Sequence, residues 1–376
     1  LEDSWLFFSI VHFFLLIFSS FFFALGAFAL DAIVRPYQSV RSVGMGGVRM
    51  STGLYEENFF NNPARVNANP YSKFTLISAM PLDISKSTVQ DLKNLKNKNY
   101  LNVLENAKIN NIYYRFQIAL PSYYLASNEE REWAMALGFI ASFQLDAALR
   151  KSYNLNVDSI LDIGPALTYG RKFLKDDNLA LGITAHLISR FGADPSYGLI
   201  DYLRGTQLTI TSLEGSGAML DFDLGGTYDL SKIFNFDVSL AIAIQNILGG
   251  NYSNILFDVF KNQIRPPSQP RSLGLGIAGT RSSFGLFGKT TIAFEITDIG
   301  NNINGSFYRL LHFGGEVYLL STFSVRGGIN QGYMTAGVGL DLKYINIDLS
   351  TYGEELSLNA GNFEDRRYGI NINLSI

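Results

Sequence analysis

The most regular feature of this chain is alternation. From Arg367 to Ile376, Tyr368, Ile370, Ile372, Leu374 and Ile376 take every second position, and Gly369, Asn371, Asn373 and Ser375 fill the places between. A period of two marks a strand with one apolar and one polar face. The same pattern runs through Met334, Ala336, Val338, Leu340 and Leu342, through Ile345, Ile347 and Leu349, and through Phe236, Val238, Leu240, Ile242 and Ile244. Most such runs are about nine to eleven residues long, enough for a tilted strand to cross a bilayer. A soluble sandwich also alternates, but it hides its apolar faces against each other. So many repeats with so few charges predict an all-β fold, a transmembrane antiparallel β-barrel.

Strands are predicted near 74–82, 112–120, 133–146, 159–170, 178–190, 219–230, 235–246, 272–281, 289–297, 311–319, 323–329, 332–342, 345–352 and 367–376. That is about fourteen, an even number as bacterial barrels have. The odd-numbered connections average about 18 residues and the even-numbered ones about 6, the contrast expected between extracellular loops and periplasmic turns. Asn330-Gln331 is the exception, a short link on the long side that predicts a dip in the rim. A two-residue turn at Lys343-Tyr344 sets Leu342 against Ile345. A turn at 320–322 makes Glu316 and Arg326 cross-strand neighbours on the polar face, a predicted ion pair. The polar face carries Arg115, Gln117, Gln144, Asp162, His186, Arg190, Asp221, Asp223, Asp237, Glu295, His312, Glu316, Arg326, Asp341 and Asp348 among many small residues. Small residues on an inner wall leave room for something to occupy the interior.

Composition narrows the reading. The 376 residues are 47% hydrophobic, 14% aromatic and 17% charged, with a net charge of −3; the charged share is low for a soluble domain, and the balance gives no basic surface for nucleic acid. The absence of cysteine removes disulfides, thiol nucleophiles and most zinc sites. No cofactor or metal is expected. Leu6 to Ala29 is almost wholly apolar and closes on Ala27-Phe28-Ala29, the A-x-A ending of a signal peptide over residues 1–29. Its length also fits an uncleaved anchor, and Leu1-Glu2-Asp3 is acidic where a signal peptide is basic. Either reading exports the chain.

Ahead of the first strand, Ser42-Val43-Gly44-Met45-Gly46-Gly47-Val48 is followed by Ser51-Thr52-Gly53 and then Asn61-Asn62-Pro63-Ala64. Glycine-rich sequence followed by Asn-Pro can fold back on itself rather than join a sheet. This arrangement resembles the N-terminal signature of FadL-like outer-membrane proteins, in which an S-x-G-M-G-G-A-like run precedes N-P-A. PorV-like secretion barrels and uncharacterised spirochaetal members are similar in the same residues. Val48 and Arg49 stand where small residues are usual, and Ile376 where a terminal aromatic is common. The resemblance implies a hatch over residues 30–70, with Gly44, Gly46, Gly47, Asn62, Pro63 and Ala64 as its key positions, inside a barrel over 71–376. It implies passive uptake of hydrophobic molecules such as long-chain fatty acids across a bacterial outer membrane; the PorV likeness implies instead a docking barrel for secretion or surface attachment. Arg115, His186, Arg190, Glu295, Glu316 and Arg326 are the expected lumen-lining residues, outer-membrane lipid surrounds the wall, and Tyr368–Ile376 is the signal a barrel-assembly machine reads.

Three other features are weighed against these. Gly274-x-Gly276-x-x-Gly279 matches a dinucleotide fingerprint, but it lies inside an alternating strand with Leu275 and Ile277 outward and no helix after it. After signal removal His186 and His312 are the remaining histidines, so no enzyme is expected. Val89 to Ala107 has near-helical apolar spacing and Asn246 to Ser272 contains Ile255 to Phe260, so both long loops are expected to offer apolar surface at the mouth.

Overall fold

The computed structural model describes residues 35–96, 111–149, 155–173, 178–193, 196–197, 215–230, 233, 235–253, 266–282, 287–300, 307–319, 322–356 and 361–376. The expected signal peptide, the second half of the expected loop helix and Ile255 to Phe260 lie outside them.

Fourteen antiparallel strands close into a ring. They are β1 (Lys73–Ser85), β2 (Asn111–Leu125), β3 (Trp133–Leu149), β4 (Leu155–Phe173), β5 (Leu179–Ala193), β6 (Ser216–Asp229), β7 (Asp237–Gln245), β8 (Ser272–Arg281), β9 (Phe287–Ile296), β10 (Leu311–Leu319), β11 (Phe323–Asn330), β12 (Tyr333–Asp341), β13 (Ile345–Glu355) and β14 (Glu364–Ser375). Each pairs with its sequence neighbours, and Ser196–Tyr197 adds a short pairing at the far end of β4. Hydrocarbon offers no hydrogen-bond partners, so a sheet in a bilayer must have no open edge. Here β1 closes on β14: Ile77 sits opposite Leu374, Phe74 donates to the Ile376 carbonyl at 3.0 Å, and Ile376 donates back at 2.8 Å.

Alternation places the side chains. Every strand leaves at least one large apolar residue exposed, among them Phe116, Leu137, Ile183, Ile277, Phe294 and Val338. At the short-turn end Trp133 stacks on Tyr169 with ring centroids 6.2 Å apart, and Arg131 lies over Trp133, as aromatics do at a membrane interface. Glu316 faces Arg326 across β10 and β11 and Leu342 donates to the Ile345 carbonyl across the Lys343-Tyr344 turn, both as expected, with Asp341 opposite Asn346. The dip in the rim is a turn at Gln331-Gly332, with φ of 53° and 92°. Two consecutive positive values make the tight hairpin whose twist matches the flanking strands.

Two departures have local causes. The pairing of β3 with β4 runs on through Asp146–Asp158 to Leu149–Leu155, so most of the expected loop there is strand rising past the bilayer, where polar residues are tolerated. The register of β1 shifts between Ala79 and Leu82, and that of β2 between Leu120 and Tyr123, around Pro81 and Pro121, which have no N–H for the ladder. Among the described residues of the first loop, α2 (Lys86–Lys96) forms part of the expected helix; the label α1 belongs to Val40–Gly44.

The outward face sets a test. Ile277→Arg, on a face 41% exposed, is expected to destabilise the barrel by about 2–4 kcal/mol near the midplane, and Leu342→Arg at the turn by about 0–1. Urea titration in lipid vesicles, followed by the gel mobility of the folded barrel, measures both; equal costs would contradict membrane embedding.

Candidate functional site

Residues 35–69 precede the barrel in sequence and are largely buried within it. The Ser39 hydroxyl caps α1 by accepting the Ser42 amide at 3.0 Å. The chain then turns at Gly46 and Gly47, both at positive φ. A Cβ on Gly46 would run into the Phe313 carbonyl, so both conformation and space require glycine there. Two 3-10 turns follow, Tyr55–Phe60 and Pro63–Ala68. Asn62 caps the second by accepting the Ala64 amide, and Pro63 takes the first helical place, where no N–H is needed.

Strands around the ring hold this segment. On β9 the Glu295 carboxylate accepts the amides of Arg49 and Ser51 at 2.8 Å each and the Ser51 hydroxyl at 2.7 Å. On β10 Glu316 accepts two bonds from Arg41, at 3.0 and 2.6 Å, and one from Arg326 at 2.6 Å. Two guanidinium groups thus offset the cost of burying one carboxylate. On β12 Thr335 accepts from the Gly46 amide and donates to the Gly44 carbonyl. His312 donates from Nδ1 to the Gly46 carbonyl at 3.1 Å, and on the far side Gln117 of β2 bonds both backbone groups of Gln38. Opposite these, Pro63–Ala68 rests on β4, β5 and β6. A Cβ on Gly182 would stand 2.5 Å from the Ala64 nitrogen, and one on Gly225 would strike the Asn62 amide oxygen. The small residues of the inner wall are sockets for the segment.

All six expected hatch positions therefore contact the wall or shape the turn that does. The six expected lumen-lining residues are all buried, but they form separate centres. Glu295, Glu316 and Arg326 anchor the segment or its partners, and Arg115 reaches the Arg35 carbonyl. Arg190 instead pairs with Asp162 at 2.7 and 2.8 Å and holds the Pro267 carbonyl, tying down the loop after β7. His186 pairs with Asp223 at 3.2 Å. Asp221 secures the same loop by accepting the Leu248 and Gly250 amides. Asp237 and Asp341, expected on the inner face, are exposed because they stand at the short-turn rim. Gly274 and Gly276 face Met50, Ser51 and Glu295 within a strand paired on both sides, which rules out a dinucleotide loop. Thr335 and Phe60 were not singled out by the sequence; alternation placed Thr335 inward without a partner.

The interior has two characters. From β9 to β13 the wall meets the segment with Glu295, His312, Glu316, Arg326 and Thr335. From β2 to β6 Phe59, Phe60 and Val66 of the segment pack in a cluster with Tyr124, Ala134, Ala136, Ile140, Ala166, Ile188 and Met219, set among the buried Gln117, Asp162, His186, Arg190 and Asp223. Toward the long-loop end a cavity of about 70 Å³ lies between the segment and the ends of β6 to β11. Tyr37, Arg49 and Phe60 line its segment side, and Gln245, Asp298 and His312 its wall side. Arg309 lines the rim; burial pulls its pKa below the ordinary arginine value, while Glu354 and Glu355 pull it up.

A closed ring with an apolar outer face, long connections mostly at one end and its own N-terminal segment bonded to the inner wall defines a transmembrane β-barrel of the outer-membrane kind. No family model matches the chain, and no curated protein matches it. Among solved structures it is similar to a deltaS2S3 mutant of TodX, a monoaromatic hydrocarbon channel, at 12% identity over 90% of this chain and 98% of that one, with a TM-score of 0.51. TodX, a toluene transporter of P. putida, matches at 13% identity over 89% and 96% with a TM-score of 0.46. A FadL homologue of Pseudomonas aeruginosa matches at 10% identity over 92% and 98%, with a TM-score of 0.37. The first of these likenesses is one of fold alone.

Filling a socket tests the seating. Gly182→Leu is expected to dislodge Asn62-Pro63-Ala64, so that trypsin cuts after Arg65 at least tenfold faster, by analogy with the opening energies that govern proteolysis. The barrel itself should keep its folded gel mobility. Unchanged cleavage would contradict the seating.

Proposed function

We propose that this protein is a passive outer-membrane channel for hydrophobic small molecules, and that residues 35–69 are its hatch. The observation that carries the reading is the two-sided interior. Strands β9 to β12 grip the segment by charge and hydrogen bonds, and on β2 to β6 a cluster of buried apolar side chains packs against Phe59, Phe60 and Val66 beside the cavity. A general porin needs a wetted, charged bore; apolar lining suits a solute that leaves water readily. The fold likeness to a monoaromatic hydrocarbon channel supports the same substrate class, and the Gly44 to Ala64 motif supports fatty acids or similar molecules within it. On this reading solute enters from the long-loop side, which is extracellular, and passes when the hatch shifts. The membrane is a bacterial outer membrane, with Tyr368–Ile376 as the signal to the assembly machinery.

Deleting residues 35–69 tests the reading. The strands and the β1–β14 closure remain, so the barrel should still assemble. A ring of this size is wider than its own side chains fill, so in a planar bilayer the deletion should raise ionic conductance severalfold over a nearly closed parent, and uptake of a hydrophobic tracer should lose saturation. A parent that transports no hydrophobic tracer in vesicles would overturn the channel reading in favour of a docking barrel.

A further inference from the structure

The β11–β12 hairpin is the short connection on the long-loop side, and its turn residue Gln331 sends its side chain inward. At φ of 53° the residue occupies the left-handed region, where asparagine or glycine is the usual choice. It is wholly buried, at 0% exposure. The Gln331 Oε1 accepts the Glu355 amide at 3.0 Å, which fixes the orientation of the carboxamide. Nε2 is then a donor, and it bonds no protein atom. A buried N–H group without an acceptor is costly, and native proteins keep few of them.

Gln331 lines the cavity at the long-loop end, and guanidinium groups line it from other sides: Arg35 and Arg49 from the segment, Arg309 from the turn before β10. Arg35 pairs with Glu354 at 3.3 Å, and Arg309 has Glu354 and Glu355 near it. Arg49 is different. Its backbone amide is anchored on Glu295, but among the described residues its guanidinium has no hydrogen-bond or ion-pair partner. The acids that act on it from a distance, Glu295 and Glu57, are engaged with the segment's amides and with Arg41. Two carboxylates also line the cavity. Asp223 is taken up by His186 and the Asn246 amide, and Asp298 is 2% exposed. The protein thus leaves two donors open on one space, the Arg49 guanidinium and the Gln331 amide. That space is about 70 Å³. A water needs roughly 10–15 Å³ on the same measure, so the cavity holds a group of about five heavy atoms and no acyl chain.

We propose that this cavity is a binding site for a free tetrahedral oxyanion, phosphate or sulfate, held by the Arg49 guanidinium and the Gln331 amide with Arg35 and Arg309 adding positive charge beside it. A guanidinium donates to two oxygens of such an ion at once, and the amide supplies a donor to another. The site lies inside the ring of strands, where a bilayer headgroup does not reach, so its occupant is an ion from the aqueous mouth. The bound ion joins plug to wall, because Arg49 belongs to the segment and Gln331 to the barrel, and neither has to move. This site goes beyond the channel reading and does not depend on it.

The test is isothermal calorimetry of sodium phosphate against the full-length protein in maltoside micelles, which carry no phosphate of their own, at fixed ionic strength in excess chloride. Saturable binding of one ion per barrel is expected, with sulfate competing. Arg49→Gln and Gln331→Glu should each weaken it at least about tenfold, the loss expected for one hydrogen bond to a charged group. Arg49→Gln keeps the backbone amide that Glu295 accepts, and Gln331→Glu keeps both the size and the oxygen that accepts the Glu355 amide, so both barrels should keep their folded gel mobility. Arg49→Lys, which keeps the charge and loses the fork, should fall between, and it covers the case in which another variant does not fold. A parent that binds no phosphate saturably, or folded Arg49→Gln and Gln331→Glu variants that bind it as the parent does, would overturn the site. So would displacement of phosphate by octanoate or benzoate, which would make the cavity a seat for the head of an apolar acid. None of these results touches the channel reading, which hydrophobic tracer uptake decides.

Discussion

A closed ring of fourteen strands encloses more space than its inward side chains fill, and the rest of this structure depends on how that space is occupied. Small barrels pack their own interiors and the largest leave an aqueous channel; this one lies between and uses thirty-odd residues of its own chain. The segment carries backbone N–H and C=O groups into a confined interior, where unpaired groups are costly. The inner wall answers with acceptors and donors at fixed heights. Glu295 takes two amides and a hydroxyl, Thr335 serves both sides of the Gly44–Gly46 turn, and Gln117 pairs with the backbone of Gln38. Glu316 binds the segment's Arg41 and the wall's Arg326 together, so one carboxylate joins plug to barrel.

That division of labour gives the interior its two faces. Strands β9 to β12 bond residues 41–51, while β2 to β6 meet Phe59, Phe60 and Val66 by shape between their own buried pairs, Arg190 with Asp162 and His186 with Asp223. The sockets at Gly138, Gly182 and Gly225 work by removing a Cβ, not by adding a bond.

Much of this was legible in the sequence, for a physical reason. Lipid outside and water or polar groups inside force a strict period of two, so all fourteen strands, the Glu316–Arg326 pair and the Leu342–Ile345 turn can be read from alternation. What could not be read follows from the same rule. Ile140, Ile188 and Met219 are apolar residues on the inward face, and a chain that is apolar on both faces no longer shows which side is which. The β3–β4 hairpin outruns its expected ends because water beyond the bilayer imposes no alternation. The roles of Phe59 and Phe60 depend on wall glycines far away in sequence, and no local pattern announces them. The Gly44 to Ala64 motif pointed to a segment that folds back; its partners are tertiary facts.

The central claim is that residues 35–69 belong to the barrel's interior as firmly as the strands do. Residue-resolved hydrogen–deuterium exchange of the intact protein in nanodiscs measures this most directly. The account predicts protection at Gly46 and Ala64, whose amides are bonded to Thr335 and Asn62, comparable to that of β9 to β12. Uniformly fast exchange from 35 to 69, as in a leader hanging free in water, would contradict it.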